Sequence, residues 1–279
     1  MTEHGHVEEL TQRAHNGDII AAQRLVDLLI DQDRTDEAVA LLRLYTDVSQ
    51  WQGLAKLAST LARQGQIDEA IGLLRPHASA IPVLAIQVAK LLAGQGRVDE
   101  ALHVVSMHAD ADPIKNFPSA LTLADLLVEH NRFDELNQRA DNGDLCASER
   151  LAEALIEHGR IEEVAQRANN ADIFATMQLA DVLVNQGSAD DAIALLTPLA
   201  HSGITPAVVR LADLLATHDR VEDAIAMLRL NVDSSRPDSA RYLIDLLLKY
   251  DRVNDLAAEE AAGTSGAVDA LRGTQPRPS

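Results

Sequence analysis

The stretch LASTLARQGQIDEAIGLL, Leu57–Leu74, spells one complete unit of the chain. Leu57 and Leu61 stand four apart, on one face of a first helix. Gly65 offers the backbone a left-handed turn, and the acids Asp68 and Glu69 then open a second helix. Ala70 and Leu74, again four apart, form the apolar face of that second helix. The segment therefore predicts two helices joined by a tight turn.

The same spelling recurs along roughly residues 5–262 of the 279-residue chain. With the turn residue as anchor, the series is Gly5, Asp33, Gly65, Gly96, Asn131, Gly159, Gly187, Asp219 and Asp251. Its spacings are 28, 32, 31, 35, 28, 28, 32 and 32 residues. Four residues before the anchor stands Leu29, Leu61, Leu92, Leu127, Leu155, Leu183, Leu215 or Leu247. Eight before it stands Leu25, Leu57, Val88, Leu123, Leu151, Leu179, Leu211 or Leu243. Self-similarity at such a period marks a stacked repeat protein. The helix before each anchor is called A and the one after it B.

B helices open on 17 acids in two columns, three and four residues past the anchor, as in Asp99-Glu100 and Glu222-Asp223. Carboxylates there face the positive helix end, which explains them structurally and removes them from the catalytic candidates. Pro82, Pro118, Pro206 and Pro237 stand where A helices begin, the position proline tolerates. Pro76 and Pro198 fall late in B helices and are expected to end or kink them. The units anchored at Gly5, Asn131 and Gly159 are short. Their B helices close on Arg13-Ala-His-Asn-Gly-Asp18, Arg139-Ala-Asp-Asn-Gly-Asp144 and Arg167-Ala-Asn-Asn-Ala-Asp172. Asn-Gly reads there as a helix C-cap and Asp as the next N-cap. Long units pair a small residue with a large one (Ala70 and Leu74, Ala192 and Leu196). Short units swap the sizes (Leu136 and Ala140, Val164 and Ala168), which conserves core volume.

Leu211-Ala212, Leu215, Asp219, Ala224 and Leu228 follow the order of large, small and turn residues of the tetratricopeptide repeat family, and so do Leu57-Ala58, Leu61, Gly65, Ala70, Leu74 and Pro82. The chain resembles that family over roughly residues 5–262, although its A helices mostly lack the family's aromatics. The resemblance implies an all-α solenoid superhelix of about eight to nine antiparallel helix-turn-helix repeats, beginning with a half repeat. It also implies a concave groove lined by A helices that grips a peptide or a partner's helix, and no catalytic activity. On this reading residues 1–262 form one repeat domain. Residues 263–279, rich in Gly, Pro and Ser, form a disordered tail, in which a short amphipathic turn around Val268–Leu271 is the exception.

Charge narrows the partner. The net charge of −19 opposes binding to nucleic acid or to an anionic membrane. Six residues before the anchor lies a second acidic column: Asp27, Ser59, Lys90, Asp125, Glu153, Asp181, Asp213 and Asp245. By the resemblance it faces the groove, where Asp27, Asp125, Glu153, Asp181, Asp213 and Asp245 would receive a basic segment of a protein or peptide. The structural alternative is a solvated surface with pairs three apart, Arg24–Asp27, Arg150–Glu153 and Arg210–Asp213. Self-association through the stacking end faces is a second function, and a small ligand in the groove with an accessory enzymatic role a third.

Other chemistry finds little support. The single cysteine, Cys146, allows neither an intrachain disulfide nor a cysteine zinc cluster, and this usage fits a reducing cytoplasm. No signal peptide or membrane span is expected. His130, His158 and His218 precede anchors one per unit and read as helix-end polar groups rather than metal ligands. No nucleotide loop, dinucleotide fingerprint or nucleophile elbow occurs. No catalytic residue, metal or cofactor is expected. The preference for Arg over Lys hints at a GC-rich bacterial genome.

Overall fold

A computed structural model describes residues 3–16, 18–32, 34–44, 51–112, 115–232 and 237–274. The anchor Asp33 lies outside these residues. The described chain is all-helical, with eighteen helices in the order α1 (Glu3–His15), α2 (Ile19–Asp31), α3 (Thr35–Leu44), α4 (Trp51–Arg63), α5 (Ile67–Ala78), α6 (Pro82–Gly94), α7 (Val98–Ala109), α8 (Phe117–Glu129), α9 (Phe133–Asp141), α10 (Leu145–Glu157), α11 (Ile161–Asn169), α12 (Ile173–Asn185), α13 (Ala189–His201), α14 (Thr205–Thr217), α15 (Val221–Asn231), α16 (Pro237–Lys249), α17 (Val253–Ala262) and α18 (Ala267–Thr274). Even-numbered helices are of type A and odd-numbered ones of type B.

The anchors turn the chain as their residue types require. Gly65, Gly96, Asn131, Gly159, Gly187, Asp219 and Asp251 all have φ between 53° and 82°. At each the next N–H reaches back to the carbonyl of the leucine four before the anchor: Gln66 to Leu61 at 2.9 Å, Arg132 to Leu127 at 2.8 Å and Arg252 to Leu247 at 2.8 Å. That bond closes a Schellman motif, so the leucine column supplies both a buried side chain and the carbonyl that ends its helix. Gly5 differs. It lies inside α1, so the first anchor is part of a helix and not a turn.

The leucine columns are buried, apart from Leu179 and Leu183 of α12, which are half-buried. The size swap holds in the core. Ala70, Leu74, Ala192 and Leu196 are fully buried, and so are Leu136 and Val164, with Ala140 and Ala168 close behind. Pro82, Pro118 and Pro206 sit in the first turns of α6, α8 and α14. Pro76 and Pro198 do not end their helices; α5 runs on to Ala78 and α13 to His201.

The chain forms two compact units, Met1–Leu151 and Ala152–Ser279, with the division inside α10. In the first unit each of α1 to α9 packs on its chain neighbour, except that contacts of α10 fall at the division. There α2 also packs on α4, α4 on α6, and α6 on α8. In the second unit α11 to α18 pack in sequence, with α14 on α16 and α16 on α18. Among the described residues, the even-numbered helices of these pairs thus lie closer to one another than the odd-numbered helices between and beside them do.

Of the tail expected to be disordered, residues 267–274 form α18, which extends the short amphipathic turn expected around Val268–Leu271 into a full helix. Ala267 is fully buried, and Ala270 and Leu271 pack on the core of the second unit. The physical reason is an apolar face, Ala267, Ala270 and Leu271, too short to register as a helix by periodicity alone. Residues 275–279 lie outside the described residues.

Candidate interaction face

Carboxylates at the B-helix starts are held by more than the helix dipole. The residue after the anchor is arginine in most units, and it bridges to the acid three further on. Such pairs are Arg34–Glu37 at 2.7 Å, Arg97–Glu100 at 2.8 Å, Arg132–Glu135, Arg160–Glu163 at 2.6 Å, Arg220–Asp223 at 2.8 Å and Arg252–Asp255 at 2.8 Å. Three of these arginines also reach the preceding unit: Arg97 to Asp68 at 3.8 Å, Arg132 to Asp99 at 2.7 Å and Arg252 to Glu222 at 2.5 Å. The hydrogen bonds from Arg34 and Arg97 hold the Glu37 and Glu100 carboxyls below the usual carboxylate range. These acids are structural, and at three places they link a B helix to the one before it.

The short units carry their own lock. Asp18, Asp144 and Asp172 accept a hydrogen bond from the N–H three residues on, at 3.0, 3.2 and 3.1 Å. Each also pairs with the arginine five before it, Arg13, Arg139 and Arg167, at 2.7, 3.0 and 2.8 Å. The Asp N-cap read from the sequence is therefore present in all three.

On the A helices the acidic column has a partner column that sequence reasoning missed. It lies nine before the anchor and reads Arg24, Lys56, Gln87, Thr122, Arg150, Gln178, Arg210 and Tyr242. Lys56 of α4 bridges back to Asp27 of α2 at 2.9 Å. Arg150 of α10 bridges to Asp125 of α8 at 2.7 Å. Arg210 of α14 bridges to Asp181 of α12, with Nε at 2.8 Å from the carboxylate. Where the acid is Ser59, the partner is Gln87, whose amide donates to the serine oxygen at 2.8 Å. Cross-helix pairing of this kind replaces the expected Arg210–Asp213 pair within α14, because the neighbouring A helix brings a carboxylate as close as the next turn does. The constant offset of the two columns is the signal that could have revealed the ladder.

Among the described residues no such rung forms at Thr122, Gln178 or Tyr242. In the first unit the acid is replaced by Lys90. It lines a cleft of about 360 Å³ with Ala93, Gly94, Thr122, Asp125, Leu126, Glu129 and His130. In the second unit the base is replaced by Tyr242. Asp213 then has no basic partner among the described residues, and Asp245 has only the exposed Arg241 at 3.9 Å. Val209, Ala212, Asp213, Leu228, Tyr242, Asp245, Leu246 and Lys249 enclose a cleft of about 90 Å³ there. Of the six acids expected to form a receptive stripe, Asp27, Asp125 and Asp181 are thus paired with bases of neighbouring A helices, and Asp213 and Asp245 are not. Glu153 of α10 is half-buried and engaged in further contacts.

The histidines act at helix ends. His158 and His218 donate from Nδ1 to Ala154 and Leu214, each at 2.8 Å, near the C-termini of their own helices. Gln64 and Gln95, in the same column, reach Thr35 at 3.2 Å and Asp68 at 3.4 Å. Among the described residues no group of three His, Cys, Asp or Glu is arranged to hold a metal ion, and no helix is long and apolar enough to cross a membrane. Cys146 is buried, and burial with help from nearby carboxylates such as Asp144 pushes its thiol up.

No protein-family model and no curated protein matches the sequence. Among solved structures, the chain is similar to a tetratricopeptide repeat protein from Parabacteroides merdae, at 15% sequence identity over 96% of this chain and 98% of that one, with a TM-score of 0.32. It is also similar to the C-terminal part of a TPR repeat-containing protein from Cytophaga hutchinsonii, at 12% identity over 92% and 96% of the two chains, with a TM-score of 0.33.

Proposed function

We propose that the chain is a non-catalytic scaffold that holds a segment of another protein against its A helices. The observation that carries this reading is the uneven use of charge. At B-helix starts the second acid is bound to an arginine of the fold in six units, whereas on the A-helix surface of the second unit Asp213 has no basic partner among the described residues and Asp245 only the exposed Arg241, beside an exposed tyrosine. Within each unit the packing of α2 on α4, α4 on α6, α6 on α8 and α14 on α16 supports the A helices as the more closely spaced face. A protonated, buried Cys146 is a poor nucleophile, which favours binding over catalysis.

The test is affinity capture followed by titration of the captured protein, with two variants matched in charge. One replaces Asp125, Asp181, Asp213 and Asp245 by Asn. The other replaces Asp36, Asp68, Asp134 and Asp190, exposed at B-helix starts, by Asn. Binding lost only in the first supports the A-helix face. Binding unchanged in the first, or weakened equally in both, sinks it.

A further inference from the structure

We propose that the exposed face of α18 is a docking surface for a B-type helix, and that its occupant is α1 of a second copy of the chain. The turn from α17 to α18 repeats the turns from α9 to α10 and from α11 to α12. Twelve residues past their anchors, Gly143, Ala171 and Gly263 are left-handed, with φ of 89°, 65° and 80°. Their N–H groups bond the carbonyls of Ala140, Ala168 and Glu260, each at 3.0 Å. The next N–H in each case reaches five residues back: Asp144 to Arg139 at 3.1 Å, Asp172 to Arg167 at 3.1 Å and Thr264 to Glu259 at 2.9 Å. That shared turn fixes the register of α18. Ala267 takes the place of Ala147 and Ala175, and all three are fully buried.

Val268, the next residue, departs from its counterparts. The residue at its place is buried in every A helix from α2 to α16, polar ones such as Ser148 and Thr176 included, whereas Val268 is 41% exposed. The difference lies in the neighbours. B helices α13, α15 and α17 pack on the A helices α12, α14 and α16 that they follow, and among the described residues no helix follows α18. On α17 Val253 is bare as well, where its counterparts Val98, Phe133, Ile161 and Val221 are half-buried. The covered A helices thus show what suits such a face: a helix of type B.

The first helix of the chain supplies one. Val7, Leu10 and Ala14 of α1 stand at the places of Phe133, Leu136 and Ala140 in α9, and of Ile161, Val164 and Ala168 in α11. B helices α3, α5 and α7 each pack on the A helix before and the A helix after. For α1 the neighbour after is α2, and among the described residues no A helix precedes it. One copy therefore carries an A helix short of its B and a B helix short of its A. Joined between copies they complete a helical hairpin, through a heterologous, head-to-tail contact. Each copy carries a net charge of −19, so charge opposes the approach and apolar burial has to drive it. Salt then strengthens the contact by screening the repulsion. Removal of α18 bares α16 and α17, a different surface that does not need α1.

The experiment is sedimentation velocity on the full chain, from micromolar to submillimolar concentration, at low and high salt. Reversible association that strengthens with salt is expected. Val268→Asp is expected to weaken it at least about tenfold by placing a charge in the apolar contact. An acid at the second residue of α18 favours the helix, so helical circular dichroism is expected to stay unchanged. Met107→Asp on α7, where the methionine is 52% exposed, is expected to leave association as it was. Energy transfer tells the ends apart. A donor at the N-terminus of one copy and an acceptor at the C-terminus of another are expected to transfer more strongly than two labels at C-termini. The proposal is overturned if the chain stays monomeric throughout, if V268D associates like wild type, or if M107D loses as much as V268D. Association that weakens with salt would indicate a charge-driven contact and also overturn it. So would transfer between C-terminal labels as strong as that between unlike ends, since two α18 faces would then meet each other.

Discussion

Ala171 has a φ of 65°, where a side chain is disfavoured. Its counterpart in the preceding short unit is Gly143 at φ 89°, with nothing near the position a Cβ would take. Both residues end a B helix in the same way: Gly143 N–H bonds Ala140 and Ala171 N–H bonds Ala168, each at 3.0 Å. A left-handed conformation costs a residue with a Cβ roughly 1–2 kcal/mol, and the looser unfolded chain of glycine returns part of that. Ala171→Gly is therefore expected to stabilise the protein by about 1 kcal/mol, and Gly143→Ala to destabilise it by a similar amount, both read from urea unfolding. Asp172, next in sequence, is mostly buried with Arg167 and caps α12. Asp172→Ala is expected to cost about 1–2 kcal/mol by the same measurement. Loss of less than half the lower figure would mean that the cap is replaced by water.

Whole helices show where the sequence was legible and where it was not. The A and B helices and their turns were readable because Leu61, Gly65 and Ala70 repeat as residue types at fixed offsets. Pairing across helices was not, because Lys56 and Asp27 lie 29 residues apart and meet only once the A helices stack. The same holds for α18, whose face of Ala267, Ala270 and Leu271 gains meaning only against the second unit's core. That contact has a cost when removed. Glu259 of α17 is buried and accepts from Arg229 at 2.7 Å and from the Thr264 hydroxyl at 2.7 Å. Deletion of residues 263–279 removes the threonine and uncovers α16 and α17. Apolar exposure on this scale is expected to lower stability by about 2 kcal/mol in urea unfolding. Light scattering is expected to show concentration-dependent association through the bared stacking face. A truncated chain as stable and as monomeric as the full one would show that α18 contributes nothing to the cap.

At the scale of the molecule, a net charge of −19 sets two electrostatic effects against each other. Self-repulsion destabilises the folded chain at neutral pH and weakens as protons bind on the approach to the isoelectric point near 4.8. The arginine pairs act in the opposite sense. Their arginines hold Glu37, Glu100, Glu222 and Asp255 below the ordinary carboxylate range, and the Ala21 N–H, followed by Arg13, does the same for Asp18. A depressed folded value means that the native chain binds fewer protons than the unfolded one. The stabilisation is then complete above the ordinary carboxylate range and is lost as pH falls through the depressed values. Exposed pairs are screened by solvent and individually weak, so repulsion governs the neutral side and the pairs together govern the acid side. The melting midpoint is expected to rise modestly from pH 8 to about 5 and to fall steeply below about 4. R97A/R132A/R252A removes three links between B helices. It is expected to flatten the acid limb, because fewer carboxylates then titrate below their unfolded values, while lowering the midpoint by a few degrees at pH 6. An acid limb of unchanged steepness in that variant would show that the inter-helix arginines do not carry the pH dependence.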